Sequence, residues 1–122
     1  MTHVLLVDDD DDVRALTQTI LEREGHSVTV ASDGLEALRK VGTQPFAVAL
    51  VDLYMPNMDG LELIPKLKLQ VPDIRVVATS GGYQEGRGID LLRAAMRAGA
   101  DGILAKPFTI DELRVTLEPL PG

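Results

Sequence analysis

The sequence predicts a doubly wound α/β domain, in which helices cover both faces of a parallel sheet. Short apolar segments suited to strands alternate five times with segments of helical periodicity. The central apolar segment, residues 47–51, is continuous rather than alternating, as expected for a strand buried on both faces. It runs directly into Asp52, at the strand's carboxyl end, where folds of this class bind their ligands. We therefore expect the functional site to lie around Asp52.

Composition limits the class of protein. The chain has 122 residues, 45 % of them hydrophobic and 25 % charged, which fits one globular domain. It has no apolar run of the ~20 residues that a membrane span requires and no recognisable signal peptide. The net charge of −7 argues against direct nucleic-acid binding. The absence of cysteine excludes disulfides and thiolate metal sites. We expect a cytoplasmic domain without membrane insertion.

Hydrophobic periodicity and turn residues define the ten elements. The expected strands are residues 3–7, 27–31, 47–51, 74–79 and 102–105. Helices are expected after N-terminal capping residues, and glycines end three of them. Asp10 to Asp12 offer N-cap and first-turn carboxylates for the first helix, residues 32–34 open the second, the third starts near Asp59, and Thr109 caps the last. The terminating glycines are Gly25, Gly42 and Gly99. The residues expected to face the core are Val13, Leu16, Ile20, Leu21, Leu35, Leu38, Val41, Leu61, Leu63, Ile64, Leu67, Leu91, Leu92, Ala95, Met96, Leu113 and Leu117.

Two segments interrupt the regular pattern. Pro65 lies within the third helix, where it removes a backbone hydrogen bond at a cost of roughly 3 kcal/mol, so we expect a kink or a late start. Residues 81–88 contain four glycines and are expected to form a loop between the fourth strand and the fourth helix.

Polar side chains collect where four of the strands end. Asp8 and Asp9 follow the first strand, Asp52 the third, Ser80 the fourth and Lys106 the fifth. Converging carboxylates require a cation, and hard oxygen ligands favour Mg²⁺. A hydroxyl and an ammonium beside the metal would bind the oxygens of a phosphoryl group. A nucleophilic carboxylate completes the requirements of phosphoryl transfer.

The same residues belong to longer motifs. These are residues 5–10 with Arg14, Asp52 with residues 55–60, residues 78–82, and residues 99–102 before 106–108. With this set in this order, the chain resembles the receiver domain of bacterial two-component response regulators over essentially its whole length. The resemblance implies a flavodoxin-like (βα)₅ three-layer sandwich whose five-stranded parallel sheet has the order 2-1-3-4-5. It also implies a phosphorelay protein that catalyses only its own phosphoryl transfer and dephosphorylation.

The resemblance assigns the acidic residues. Asp52 is implied to be the phosphoacceptor, taking the phosphoryl group from a phosphohistidine of a sensor histidine kinase or a histidine phosphotransfer protein. Asp9 and Asp52 are implied to ligate Mg²⁺ directly, together with the backbone carbonyl of Tyr54. Asp8 is implied to act through a bound water.

The resemblance also assigns the remaining site residues. Ser80 matches the hydroxyl that bonds one phosphoryl oxygen, and Lys106 matches the lysine that pairs with another. The Lys106–Pro107 peptide is expected to be cis. Phosphorylation is implied to change partner binding through the surface formed by the fourth helix, the fifth strand and the fifth helix.

Two positions depart from the family pattern. Ile103 stands where the family usually has a switch aromatic, three positions before the lysine, and Tyr83 is the one nearby substitute. Tyr54 and Gly82, each two positions after a site residue, offer no carboxylate or amide to orient an attacking water. We therefore expect slow autodephosphorylation.

Residues 1–118 are expected to form the receiver domain and 119–122 a tail or linker stub. The initial methionine favours a stand-alone regulator over a receiver cut from a longer chain.

Two other functional classes remain. A haloacid-dehalogenase-type phosphatase could use Asp8 and Asp10, but would leave Asp52 without a role. An unphosphorylated adaptor or a flavodoxin-like electron carrier is the third class, disfavoured by the complete acceptor set and by an aromatic content of 3 %.

Overall fold

The structure is a computed structural model that describes residues 2–55, 58–80 and 88–117. Five strands and five helices alternate along these residues, as expected. The strands are β1 (His3–Val7), β2 (Ser27–Ala31), β3 (Val48–Asp52), β4 (Arg75–Ser80) and β5 (Gly102–Ala105). The helices are α1 (Asp11–Arg23), α2 (Gly34–Val41), α3 (Gly60–Gln70), α4 (Gly88–Ala98) and α5 (Ile110–Leu117). The loop expected at 81–88, apart from its last residue, and the tail expected at 119–122 lie outside the described residues. The domain boundary at 118 stays a prediction.

The strands form one parallel sheet of order β2-β1-β3-β4-β5, which confirms the predicted fold. One core cluster joins the sheet to α1 and α5, and it contains Leu21 and Leu113. The other cluster joins the opposite face to α2, α3 and α4, and it contains Val41, Leu63 and Ala95. The helices therefore form the two outer layers of a three-layer sandwich. No helix among the described residues is long and apolar enough to cross a bilayer.

The helices begin and end where local chemistry places them. At the expected starts of α1, α2 and α3, the side chains of Asp10, Asp33 and Asp59 accept backbone N–H groups of the first turn. At α5 the contact is reciprocal: Thr109 Oγ1 accepts the N–H of Glu112, and the Glu112 carboxylate accepts the N–H of Thr109, both at 3.0 Å. Gly25 and Gly99, expected to end helices, have φ angles of 92° and 117°.

Three residues expected to face the core are instead exposed, and the expectation was wrong for them. They are Leu16, Leu35 and Met96. In α1 the buried residues are Thr17 and Leu21, and in α2 they include Ala37 and Val41. Leu21 and Val41 are buried as expected, but other buried positions are held by a polar residue, Thr17, and a small one, Ala37, which hydrophobicity alone did not select. Leu92 of α4 was also expected to face the core, but its side chain lies outside the described part of the structure.

Pro65 lies within an uninterrupted α3 that begins directly after Asp59, so the expected late start was wrong. Its missing N–H would have bonded the carbonyl of Leu61, one turn earlier. Pro65 is on the exposed side of the helix, where water can satisfy that carbonyl. A kink at this residue stays a prediction.

Candidate functional site

The carboxyl ends of four strands bring the expected site residues to one edge of the sheet. Asp8 and Asp9 follow β1, Asp52 is the last residue of β3, and Lys106 follows β5. One carboxylate oxygen from each of the three aspartates lies within 4.8 Å of the others. The acidic cluster predicted from the sequence is therefore present as a geometric feature.

Asp8 is buried and held by several groups. It is 3 % exposed, and its N–H donates to the carbonyl of Ala31 at 3.1 Å. Its Oδ1 accepts the N–H of Asp10 at 3.0 Å, and its Oδ2 accepts a hydrogen bond from Lys106 Nζ at 2.7 Å. Its backbone carbonyl accepts Arg14 Nη1 at 2.8 Å. This aspartate has little freedom to reorient.

Asp52 is the other buried carboxylate of the cluster, at 6 % exposure. Its Oδ1 accepts the N–H of Tyr54 at 3.2 Å, and its Oδ2 lies 3.8 Å from Lys106 Nζ. Burial raises the pKa of Asp52 to about 7, with help from Asp8 and Asp9, while Lys106 and the Tyr54 N–H act in the opposite direction. The charged form of Asp52 is thus incompletely compensated by the protein alone.

Ser80 is the last residue of β4 and is fully buried. In the β3–β4 register Asp52 lies opposite Thr79, so Ser80 is one position further toward the acidic edge. The N–H of Lys106 donates to the carbonyl of Ser80 at 3.0 Å, which ties the start of the β5–α5 connection to the end of β4. The Lys106–Pro107 peptide is cis, as expected.

Gly60 allows α3 to begin directly against the end of β3. A Cβ atom at this position would lie 2.8 Å from the carbonyl oxygen of Asp52 and from the Cα of Leu53. The N–H of Gly60 donates to the carbonyl of Leu53 at 3.2 Å. The glycine therefore sets the backbone that carries Asp52, a role that the sequence motif alone did not reveal.

Two further contacts at the site were not predicted. The N–H of Tyr54 bonds Asp52, and the side chain of Arg14 bonds the backbone of Asp8. The first could be expected from the turn that follows β3. The second had a weaker signal, the i,i+3 spacing of Asp11 and Arg14 in the first turns of α1.

The donor set fits Mg²⁺. Three carboxylates face a single ammonium, that of Lys106, among the contacts of the described residues. Two of these carboxylates are buried, where uncompensated negative charge is unfavourable. Oxygen ligands from one or two carboxylates with additional waters are typical of Mg²⁺ sites.

A doubly wound sheet with buried acidic residues and a lysine at the carboxyl ends of its strands defines a receiver-type domain. Residues 4–118 match the family model of the response regulator receiver domain, and the chain belongs to this family. Members of the family act in two-component signalling, where receiver domains interact with histidine kinases or phosphotransfer proteins.

Known proteins resemble the chain over most of its length. The sporulation initiation phosphotransferase F of Bacillus subtilis is 34 % identical over 91 % of this chain and 86 % of its own. The receiver domain of NtrX from Brucella abortus superposes with a TM-score of 0.84 at 34 % identity, covering 92 % of both chains. A response regulator from Burkholderia pseudomallei, solved with a phosphorylated aspartic acid, a calcium ion and citrate, has a TM-score of 0.86 at 32 % identity, covering 97 % of this chain and 67 % of that one. The chain spans 47 % of the length of two relatives named as transcriptional regulatory proteins.

Proposed function

We propose that this receiver domain accepts a phosphoryl group on Asp52, in the presence of Mg²⁺, from a phosphohistidine of a sensor histidine kinase or a histidine phosphotransfer protein. The observation that carries the proposal is the environment of Asp52, a buried carboxylate beside two others and a lysine. Two further observations support it. The solved Burkholderia relative contains both a phosphorylated aspartic acid and a divalent cation, and the Bacillus relative is named a phosphotransferase.

In the proposed transfer, a carboxylate oxygen of Asp52 bonds to phosphorus while the bond from phosphorus to the donor imidazole breaks. The N–H of Tyr54 holds Oδ1 and so limits rotation of the carboxylate. Asp9, Asp52 and the backbone carbonyl of Tyr54 would hold Mg²⁺ directly, with Asp8 acting through a water. When bound, the metal supplies positive charge to the phosphoryl oxygens.

Lys106 and Ser80 would bind the phosphoryl oxygens that the metal does not contact. The Lys106 ammonium bonds Asp8 and is already 3.8 Å from Asp52 Oδ2, so a small movement brings it to a phosphoryl group on Asp52. The Ser80 residue ends the strand next to Asp52, where its hydroxyl can serve as a donor. Donors fixed before the reaction stabilise developing charge more effectively than water does.

Phosphorylation would then alter the surface formed by α4, β5 and α5. Ile103 on β5 is 43 % exposed and Val115 on α5 is 70 % exposed. Both line a depression of about 370 Å³ along β5 and α5, together with Leu104 and Ala105. Ser80 and Lys106 lie at the ends of β4 and β5, so new bonds to a phosphoryl group would act on both strands that adjoin this surface. Asp111 and Glu112 also line the depression, so a partner docking there would meet apolar side chains beside two carboxylates.

Intact-mass spectrometry tests the acceptor role. The protein is incubated with Mg²⁺ and phosphoramidate or acetyl phosphate, alongside Asp52→Asn and samples containing EDTA. We expect one added phosphoryl group on the wild type and none on the variant or without metal. Asp73→Asn, a change in an aspartate outside the site, serves as the control and is expected to be phosphorylated normally.

Three outcomes would contradict the proposal. Phosphorylation of Asp52→Asn at the wild-type rate would exclude Asp52 as the acceptor. Steady turnover of small phosphate esters would instead favour a phosphatase of the haloacid-dehalogenase type. The absence of an adduct with every donor, including a phosphorylated histidine phosphotransfer protein, would favour an unphosphorylated adaptor.

A further inference from the structure

The side chain of Arg14 reaches from α1 back to the end of β1. Its Nη1 donates to the backbone carbonyl of Asp8 at 2.8 Å, and its Nη2 bonds Asp11 Oδ1 at 2.5 Å. The Arg14 side chain is 18 % exposed, whereas that of Asp11 is 85 % exposed. Most of the Arg14 side chain is thus enclosed, although the family resemblance assigned this residue no role.

The carbonyl that Arg14 holds belongs to the peptide joining Asp8 to Asp9. A peptide unit is planar, so fixing its carbonyl fixes the direction in which the chain enters Asp9. Asp9 is exposed, and packing does not orient it as burial orients Asp8. The direction of the Asp9 side chain therefore depends on its backbone, which the Arg14 bond holds before Asp9 and the bond from the Asp10 N–H to Asp8 Oδ1 holds after it.

We propose that Arg14 is a positioning residue of the acidic site, which holds the Asp8–Asp9 peptide so that the Asp9 carboxylate meets that of Asp52 around a divalent cation. Asp11 offsets the charge of Arg14, which reduces the repulsion that a nearby guanidinium exerts on the cation. The proposal rests on the proposed function, because it concerns how the Mg²⁺ site of that function is organised.

Electrostatics and positioning predict opposite effects of removing Arg14. Loss of a positive charge near a cation site strengthens cation binding if charge alone matters. Loss of the hydrogen bond to Asp8 releases the Asp9 peptide and weakens binding, as does removal of groups that orient the ligands of other metal sites. The direction of the change therefore decides between the two effects.

Calorimetric titration of the full chain with MgCl₂ makes this measurement. The proteins are the wild type, Arg14→Met, Arg14→Lys and Arg23→Met. Arg23 lies in the last turn of the same helix and is exposed, so Arg23→Met gives the same change in net charge away from the site. We expect Arg14→Met to bind Mg²⁺ about 10- to 100-fold more weakly. Arg14→Lys, which keeps one donor, should recover part of the affinity, and Arg23→Met should bind like the wild type.

A second readout separates positioning from general loss of structure. The initial rate of phosphorylation by phosphoramidate is measured against Mg²⁺ concentration for Arg14→Met. We expect a higher half-saturating Mg²⁺ concentration with a rate at saturation close to that of the wild type, since excess metal restores the site. Circular dichroism in EDTA verifies that each variant is folded, and Arg14→Gln replaces Arg14→Met if the latter is not.

The outcomes distinguish the inference from the function on which it rests. Arg14→Met, or Arg14→Gln in its place, binding Mg²⁺ as tightly as Arg23→Met or more tightly would overturn the role of Arg14 and leave the proposed function intact. A wild type that binds no Mg²⁺ would overturn the metal-dependent function, and the role of Arg14 with it.

Discussion

Lys106 Nζ donates a hydrogen bond to Oδ2 of Asp8 at 2.7 Å, although the two residues lie 98 positions apart in the sequence. The bond links the connection after the edge strand β5 to the end of β1, across the ends of β3 and β4. The same ammonium is 3.8 Å from Asp52, too far for a hydrogen bond. One lysine thus lies beside two buried carboxylates and hydrogen-bonds only one of them, which is the charge imbalance that the proposed Mg²⁺ site would correct.

Replacing Lys106 by methionine should destabilise the metal-free protein. The change leaves the buried carboxylates of Asp8 and Asp52 without their cation, and breaking a buried pair costs about 3 kcal/mol. Urea unfolding in EDTA measures the loss. Lys66→Met removes an exposed lysine paired with Glu62 at 3.5 Å and should cost less than about 1 kcal/mol. Mg²⁺ should stabilise Lys106→Met more than the wild type, and equal stabilisation would contradict this assignment of charge.

The stability of the metal-free protein should depend on the protonation of Asp52. Burial raises the pKa of Asp52 from 3.8 to about 7, so the folded state holds this proton more tightly than the unfolded chain. Raising the pH through this interval deprotonates Asp52 and removes stability from the wild type, an effect absent in Asp52→Asn. The stability of Asp52→Asn relative to the wild type should rise between about pH 4 and pH 7, by at most about 4 kcal/mol, and then level off.

Unfolding of both proteins in metal-free buffer across this range tests the pH dependence. Saturating Mg²⁺ at pH 7 should reduce the advantage of Asp52→Asn, because the metal binds the charged carboxylate of the wild type. A stability difference that does not change with pH would mean that Asp52 titrates in the folded protein as it does in the unfolded chain.

Substituting Gly60 by alanine should displace the backbone of Asp52. The added Cβ would lie 2.8 Å from the Asp52 carbonyl oxygen, and relieving such a contact costs about 1–3 kcal/mol. Phosphorylation by phosphoramidate should also be slower than in the wild type. Gly42→Ala is the control, since its Cβ would meet nothing within 4 Å. Equal phosphorylation rates for the two variants would show that the close approach of Gly60 does not position Asp52.

Autodephosphorylation should be slow, with a phosphorylated lifetime of minutes or longer. Tyr54, two positions after the acceptor, is 50 % exposed and offers no carboxylate or amide to orient an attacking water. Tyr54→Asn supplies an amide at this position and should shorten the lifetime several-fold, as followed by intact mass after removal of the donor. A lifetime of only seconds for the phosphorylated wild type would contradict this prediction.

Sequence patterns predicted the fold well because strand and cap signals are local. The bounds of β1, β2 and β5 were predicted to the residue, and the order of the sheet followed from the family resemblance. Helix orientation was harder: Leu16 and Leu35 are exposed because small or polar neighbours occupy the buried positions. Rotation of a helix about its axis depends on how closely it packs on the sheet, and local hydrophobicity does not determine that distance.

In the candidate site, too, residues with a local sequence signal were predicted and a contact without one was missed. The rule that ligand-binding residues follow the carboxyl ends of parallel strands predicted that Asp8, Asp9, Asp52 and Lys106 lie at one edge of the sheet. The hydrogen bond from the Arg14 guanidinium to the Asp8 carbonyl was not predicted: the i,i+3 spacing of Asp11 and Arg14 indicates an ion pair, but a backbone acceptor leaves no residue-type signature in the sequence.

The most direct test of the central claim is to locate the phosphoryl group on the protein. After brief incubation with Mg²⁺ and phosphoramidate, borohydride reduction converts an aspartyl phosphate into homoserine, which peptide mass spectrometry assigns to one position. We expect homoserine at position 52 alone, and only in the presence of Mg²⁺. Homoserine at position 8, with position 52 unmodified, would contradict the claim and identify Asp8, after the first strand, as the phosphoacceptor.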